Sequence, residues 1–308
     1  MAESFEAKSV NWYPGHMAKT KRQMEESIRL VDAVVEVVDA RIPASSKNPY
    51  LNQLWQKRPR VLVLNKADLA DPRVTAQWKN YYESLGYGVV TADSLHGRAS
   101  KEITQKVLEV CREKIERDKA KGMTRPVRMM VSGIPNTGKS TLINQLTGRA
   151  GGAKTGDKPG VTKSQQWLKV TTGGGVTLEM LDTPGILWPK FDDPAVGEKI
   201  ALIGSINEEI LNEYALACSL LERLKARYPE ELSARYKLSA EEMDVPGDFL
   251  IETVGKKRGH LRSGGLVDVE RTAKILLDEF RGGKIGRVSL ESPDELAAEP
   301  KEAGRAED

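Results

Sequence analysis

Apolar and polar positions along this chain fall into two regimes. Up to about residue 182, short apolar runs alternate with amphipathic stretches of helical period. Ala33–Asp39 (AVVEVVD), Val61–Leu64 (VLVL), Tyr87–Ala92 and Val127–Val131 (VRMMV) have the length and β-branched content of buried strands. Val176–Leu181 (VTLEML) alternates and reads as another strand. Residues 17–31, with Met24, Ile28 and Val31 at helical spacing, read as a helix, as do 73–85, 99–120 and 139–147. Such alternation predicts an α/β fold, a mostly parallel sheet with helices on both faces. After Leu187-Trp-Pro189 the strand signals stop. Residues 195–245 and 266–281 carry apolar stripes of helical period, from Ile210, Tyr214 and Leu221 to Ala273, Leu277 and Phe280. The expected division is an α/β domain with an N-terminal arm over 1–190, an all-helical domain over 191–288, and an acidic disordered tail over 289–308.

The turns between these runs carry the chemistry. Residues 133–141 read Gly-Ile-Pro-Asn-Thr-Gly-Lys-Ser-Thr, a full G-x-x-x-x-G-K-[ST] match, between an apolar run and a helix. Gly133 and Gly138 permit a backbone turn whose N–H groups cradle phosphate oxygens. Lys139 reaches the β- and γ-phosphates, Ser140 is placed to ligate Mg²⁺, and the following helix adds its positive N-terminal end. Asp182-Thr-Pro-Gly185, a D-x-x-G at a strand end, reads as the second Mg²⁺ and γ-phosphate element. Within Gly156–Thr162, Thr162 reads as the switch threonine on Mg²⁺, with Thr155, Thr171 and Thr172 as neighbouring alternatives.

Asn65-Lys66-Ala67-Asp68 is an N-K-x-D after the Val61–Leu64 run. The Asp68 carboxylate can accept from guanine N1–H and the 2-amino group, a donor pair adenine lacks, so GTP is expected over ATP. The alternative is a plain helix cap, which leaves the other strand-end motifs unexplained. Asp93-Ser94 stands where a supporting base element is expected, or is an ordinary loop. The base reader precedes the phosphate cradle, the reverse of the usual GTPase order, which points to a circularly permuted Ras-like P-loop GTPase.

Composition narrows the class further. The chain has 308 residues, 30% of them charged, and a net charge of +3. Residues 291–308 hold seven acids against two bases, so the remainder carries a surplus of eight positive charges. Such a surplus suits a nucleic-acid partner. Cys111 and Cys218 form no disulfide or metal pattern. No run approaches the ~20 apolar residues of a membrane helix. The opening segment lacks a signal-peptide core, so a cytoplasmic protein without a membrane is expected; a monomer is expected as well. Gly255–Gly265 (GKKRGHLRSGG) concentrates Lys256, Lys257, Arg258 and Arg262 in a Gly-rich stretch that reads as an RNA-backbone contact loop, or else as a solvated one.

These motifs, with Asn11-Trp-Tyr-Pro-Gly-His-Met-Ala-Lys19, Val38-Asp-Ala-Arg-Ile-Pro43, Lys154–Thr162 and Leu181–Pro189, resemble the circularly permuted ribosome-assembly GTPases of the RbgA/YlqF family over about 10–290. The resemblance implies GTP hydrolysis coupled to late assembly of the large (50S) ribosomal subunit and a C-terminal RNA-binding domain. It implies nucleotide binding (GTP/GDP) by Asn65, Lys66, Ala67, Asp68, Asp93, Ser94, Asn136, Thr137, Gly138, Lys139, Ser140, Thr141, Thr162 and Gly185. Ser140, Thr162 and Asp182 would hold Mg²⁺. Asn136 matches a position that in related GTPases accompanies a bound K⁺. Ile186 stands where Ras-like enzymes place a water-orienting glutamine, so turnover alone is expected to be slow. His16 is the candidate replacement beside Lys139, the alternative being a structural or RNA-contacting residue. The competing class is a regulatory guanine-nucleotide sensor acting on a protein partner.

Overall fold

The computed structural model describes residues 22, 24–55, 58–94, 99–148, 166–170, 176–182, 193–206 and 212–298. Six strands among them form one sheet: β1 (Ala33–Asp39), β2 (Arg60–Asn65), β3 (Gly88–Thr91), β4 (Val127–Ser132), β5 (Gln166–Val170) and β6 (Leu178–Asp182), in the order β3-β2-β1-β4-β6-β5. All neighbours run parallel except β5, which pairs antiparallel with β6 at the edge. Parallel strands covered on both faces need apolar side chains in both directions. β1 accordingly is buried at every position.

Residues 24–28 are helical, and the further helices among the described residues are α1 (Pro49–Leu54), α2 (Pro72–Ser84), α3 (Ser100–Val110), α4 (Arg112–Ala120), α5 (Lys139–Thr147), α6 (Pro194–Leu202), α7 (Glu213–Arg227), α8 (Pro229–Tyr236), α9 (Ala240–Met243), α10 (Gly247–Arg258), α11 (Val269–Arg281) and α12 (Pro293–Ala298). One face of the sheet, through Val35, Val37, Val63 and Met129, packs on Ile103 and Val107 of α3 and Leu142 and Ile143 of α5. The other packs Val38, Leu62 and Leu64 on Trp78 and Tyr82 of α2, and Val34 and Met130 on Met24 and Trp55. Local chemistry sets the starts: Asp71 accepts from the Arg73 amide with Pro72 next, and Asp193 accepts from the Ala195 amide with Pro194 next.

From α6 onward the described elements are helical, and those up to α11 share one core, Leu216, Leu220, Leu224, Leu250, Leu276 and Phe280 among it. Ile42 and Ile134 are part of that core. Ile134 belongs to the phosphate loop, so the helical region is packed onto the nucleotide loops through apolar contact. No helix of the described residues is long and apolar enough to cross a membrane.

Three expectations need correction. The stretch 99–120 is two helices divided at Cys111. α3 keeps Ile103 and Val107 on the sheet, whereas α4 has no apolar stripe and is held by ion pairs such as Lys114–Asp32 at 3.1 Å. The edge strand β5 (QWLKV) was not foreseen, because an edge strand with one exposed side lacks the apolar run of its neighbours. The tail does not start at 289. Ser289, Leu290 and Glu291 are buried, and α12 follows. Residues 299–308 lie outside the described residues.

Candidate nucleotide site

The phosphate loop is shaped by what a side chain would hit. A Cβ on Gly133 would lie 2.4 Å from the Val37 carbonyl oxygen, so only glycine lets the chain leave β4 that close to β1. Two residues with positive φ follow, Asn136 (60°) and Gly138 (87°), and α5 starts at Lys139. Left-handed turns of this kind curl backbone amides toward a common anion, at a helix N-terminus that favours it. Thr137 Oγ1 donates to the Ile134 carbonyl at 3.0 Å and closes the loop on itself. Lys139 is buried, while Ser140 and Thr141 are half-buried in the first turn of α5.

Asn65 joins three of the expected motifs. Its Nδ2 donates to the Thr137 carbonyl at 2.6 Å. Its Oδ1 accepts from the Ser94 amide at 3.2 Å and from Ser94 Oγ at 2.6 Å. Gln145 of α5 donates back to the Ser94 carbonyl. The phosphate loop, the base-reading loop and the Asp93-Ser94 turn therefore meet at one amide side chain. The fit leaves no slack: a Cβ on Gly138 would lie 2.2 Å from Asn65 Nδ2. Lys66 turns the chain with φ 58°, the Ala67 amide donates to the Ala92 carbonyl at 3.0 Å, and Asp68 follows, half-buried.

Beneath that loop lies a buried charge cluster whose roles were not legible in the sequence. Arg41 clasps Asp39 with Nε at 2.9 Å and a second nitrogen at 2.8 Å, and Lys66 Nζ stands 3.3 Å from the same carboxylate. Burial pushes the Asp39 carboxyl up, but Arg41 and Lys66 outweigh it and hold the group far below the usual carboxylate range. Burial pulls Lys66 below an ordinary lysine, and Asp39 only partly restores it. The available signal was Val38-Asp-Ala-Arg, charge placed directly after an apolar strand.

Of the residues expected to hold Mg²⁺, the structure describes Ser140 and the backbone of Asp182. The register Val131↔Asp182 sets the end of β6 beside the strand that feeds the phosphate loop. A serine hydroxyl and a carboxylate are hard oxygen donors, the kind Mg²⁺ takes together with phosphate oxygens. The Asp182 side chain, Thr162, Gly185, Ile186 and His16 lie outside the described residues. Asn136 Nδ2 donates to the Gly204 carbonyl, and Ser205 Oγ donates to the Pro135 carbonyl at 2.6 Å. The turn after α6 thus touches the phosphate loop, a contact no sequence motif announced.

The basic segment differs from its reading as a loop. Lys256, Lys257 and Arg258 form the last turn of α10, which Gly259 ends with φ 70°. Gly255 is inside the helix because its missing side chain admits Val267 and Thr272, which a Cβ would meet at 2.4 and 2.8 Å. Three of the four cations have internal partners. Lys257 pairs with Glu242 at 2.6 Å, Arg258 lies over the Tyr236 ring and donates to the Arg235 carbonyl, and Arg262 pairs with Asp268 and Glu270 at 3.0 Å. Lys256 is exposed, as are Arg271 and Lys274 on α11.

The chain is similar to known GTPases. A family model described as a 50S ribosome-binding GTPase matches residues 128–245. The ribosome biogenesis GTPase A of Priestia megaterium is 47% identical over 93% of this chain and 98% of its own length. That of Bacillus cereus is 43% identical over 97% and 99%. The crystal structure of a GNP-bound YlqF from T. maritima superposes with a TM-score of 0.60 at 30% identity, covering 90% of this chain and 99% of that one.

Proposed function

The chain belongs to the ribosome biogenesis GTPase A family, and from that premise we propose that it hydrolyses GTP on a precursor of the large ribosomal subunit. It is a GTP hydrolase that binds guanine nucleotide and, as GTPases of this family do, Mg²⁺. The observation that carries the site assignment is Asn65, which ties the base-reading loop to the phosphate loop at 2.6 Å although the two occur in reversed order along the chain. Nucleotide would lie across that junction, phosphates on the 133–140 loop and base on Asp68. Ser140 and Asp182 would hold Mg²⁺, which supplies charge neutralisation at the phosphates.

The finer assignments extend the same reading. Asn136 would accompany K⁺ near the phosphates, adding positive charge where negative charge develops. His16 would orient the attacking water in place of the glutamine that Ile186 replaces. rRNA would contact the helical region, and the protein would act as a cytoplasmic monomer. The test is co-sedimentation with purified large-subunit precursors in a non-hydrolysable GTP analogue and in GDP. Binding favoured by the analogue is the expected result. Absence of binding in both states would replace this reading with that of a guanine-nucleotide sensor acting on a protein.

A further inference from the structure

The stretch that leaves α11 folds back over the base-reading loop. Gly283, with φ 69°, sits against Leu69, whose Cδ2 would be 2.6 Å from a Cβ placed there. The Val288 amide donates to the Leu69 carbonyl at 3.1 Å, and the Leu290 amide donates to the Arg41 carbonyl at 2.9 Å. Arg287 spreads its guanidinium over two carbonyls of the loop, Nε to Ala70 at 3.0 Å and a terminal nitrogen to Ala67 at 2.9 Å. Ala67 and Ala70 bracket Asp68. On the other side of the loop Lys66 is pinned through Asp39 to Arg41, whose remaining nitrogen reaches the Phe280 carbonyl in the last turn of α11 at 3.2 Å. The loop is therefore fastened both to the last turn of α11, through Arg41, and to the stretch that leaves it, through Arg287.

We infer that residues 283–290 are a strap that positions the guanine-reading loop, with Arg287 and Arg41 as positioning residues, so that base discrimination depends on how the helical region is seated. This rests on the reading of Asp68 as the acceptor for guanine. An arginine that bonds two carbonyls fixes their separation, which one point charge does not. The carboxylate between them gains by being held where the N1–H and 2-amino donors arrive. Coupling of this kind is reciprocal: a base seated on the loop must also hold the strap.

The experiment compares GDP with IDP, which lacks the 2-amino group, on the full-length wild type, Arg287→Met and Arg41→Lys. Arg287 is exposed, so its variant keeps the fold testable even where Arg41→Lys destabilises it. Arg287→Met is expected to lower GDP affinity and the GDP-over-IDP preference together, about three- to tenfold, the range of one or two partly exposed hydrogen bonds. A merely structural role would weaken both nucleotides alike and leave the preference unchanged. In the wild type, GDP should also slow hydrogen exchange at the Val288 and Leu290 amides, and Arg287→Met should reduce that protection. A wild-type preference retained in the variants, with no GDP-dependent protection of the strap, would overturn the inference alone. A wild type that does not prefer GDP would overturn the Asp68 reading and the inference with it.

Discussion

At the residue scale the site is built from positions where one atom more or less decides the outcome. Gly138 combines positive φ with a Cβ position 2.2 Å from Asn65 Nδ2. Gly138→Ala must therefore strain the loop and push Asn65 off the Thr137 carbonyl. Expected is a loss of GDP and GTP affinity of at least tenfold, about 1.4 kcal/mol, with a smaller effect on melting temperature; nucleotide titration and thermal unfolding measure the two. Glu36 is a different case. It is buried in the middle of β1, with Lys47 Nζ 3.8 Å away and one carboxylate oxygen without a hydrogen-bond partner. Burial raises its carboxyl above the ordinary 4.5, and Lys47 and Arg60 do not restore it. A folded-state value above the unfolded one means that folding binds a proton, so this group's contribution to stability declines as pH rises above about 4.5. Glu36→Gln should then be more stable than wild type at pH 8 and nearly equal at pH 4, by chemical denaturation at both. What the sequence showed of the site follows the same logic. The glycines and Asn65 were legible because phosphate cradles and base readers demand fixed residue types at fixed spacing. Asp39, Arg41 and Arg287 were not, because an ion pair or an arginine–carbonyl contact closed only by folding looks like any charged loop.

At the scale of elements, periodicity located β1, β2, β4 and α5 to within a residue, since buried parallel strands and their crossover helices have few ways to satisfy both faces. It failed where tertiary partners set the outcome. Gly255 reads as a loop residue until Val267 and Thr272 are packed against it, and the last residues before α12 read as tail until Glu291 is seen buried. Glu291 accepts from the Ala44 and Ser45 amides, pairs with Lys199 at 3.1 Å, and its backbone carbonyl accepts from Trp78 Nε1 at 3.2 Å. Glu291→Ala leaves two amides and a half-buried lysine without their acceptor, and should cost about 3 kcal/mol, read as a lower denaturation midpoint at unchanged slope. The basic elements lead to a second expectation. Lys257, Arg258 and Arg262 must give up internal partners before they can meet a phosphate, whereas Lys256, Arg271 and Lys274 need not. Replacing the latter three with Ala should weaken binding to large subunits and flatten its salt dependence by about two to three phosphate contacts. Replacing the former three should lower stability more than binding. Equal effects in a salt titration would return the RNA contact to the 255–265 segment as a whole.

At the scale of the whole molecule, reversed motif order changes what the phosphate loop touches. The elements expected to answer to the γ-phosphate, 156–162 and 182–185, precede the helical region directly in the chain, and the turn at the end of α6 packs back on the phosphate loop. There Ser205 Oγ donates to the Pro135 carbonyl at 2.6 Å, and Arg281 of α11 donates to the Ala201 and Leu202 carbonyls just before that turn. Ile134 from the loop itself is buried in the helical core. A packed joint of this kind transmits a displacement rather than absorbing it, because interiors at crystal-like density have no slack. Loss of the γ-phosphate, which releases switch segments in GTPases, would thereby alter the face offered to the ribosomal subunit. Ser205→Ala tests that route. The change removes the donor of a part-buried carbonyl, at roughly 0.5–1.5 kcal/mol, and loosens the loop from α6 without removing a phosphate contact. Subunit affinity should then depend less on whether a GTP analogue or GDP is bound. Linkage fixes the other half of the cycle: the factor by which subunits improve analogue affinity relative to GDP must shrink equally. Measuring both legs for wild type and variant gives two independent values of one coupling free energy. Agreement at a reduced value locates the coupling in the α6 joint, and agreement at the wild-type value places it elsewhere, in the switch segments themselves.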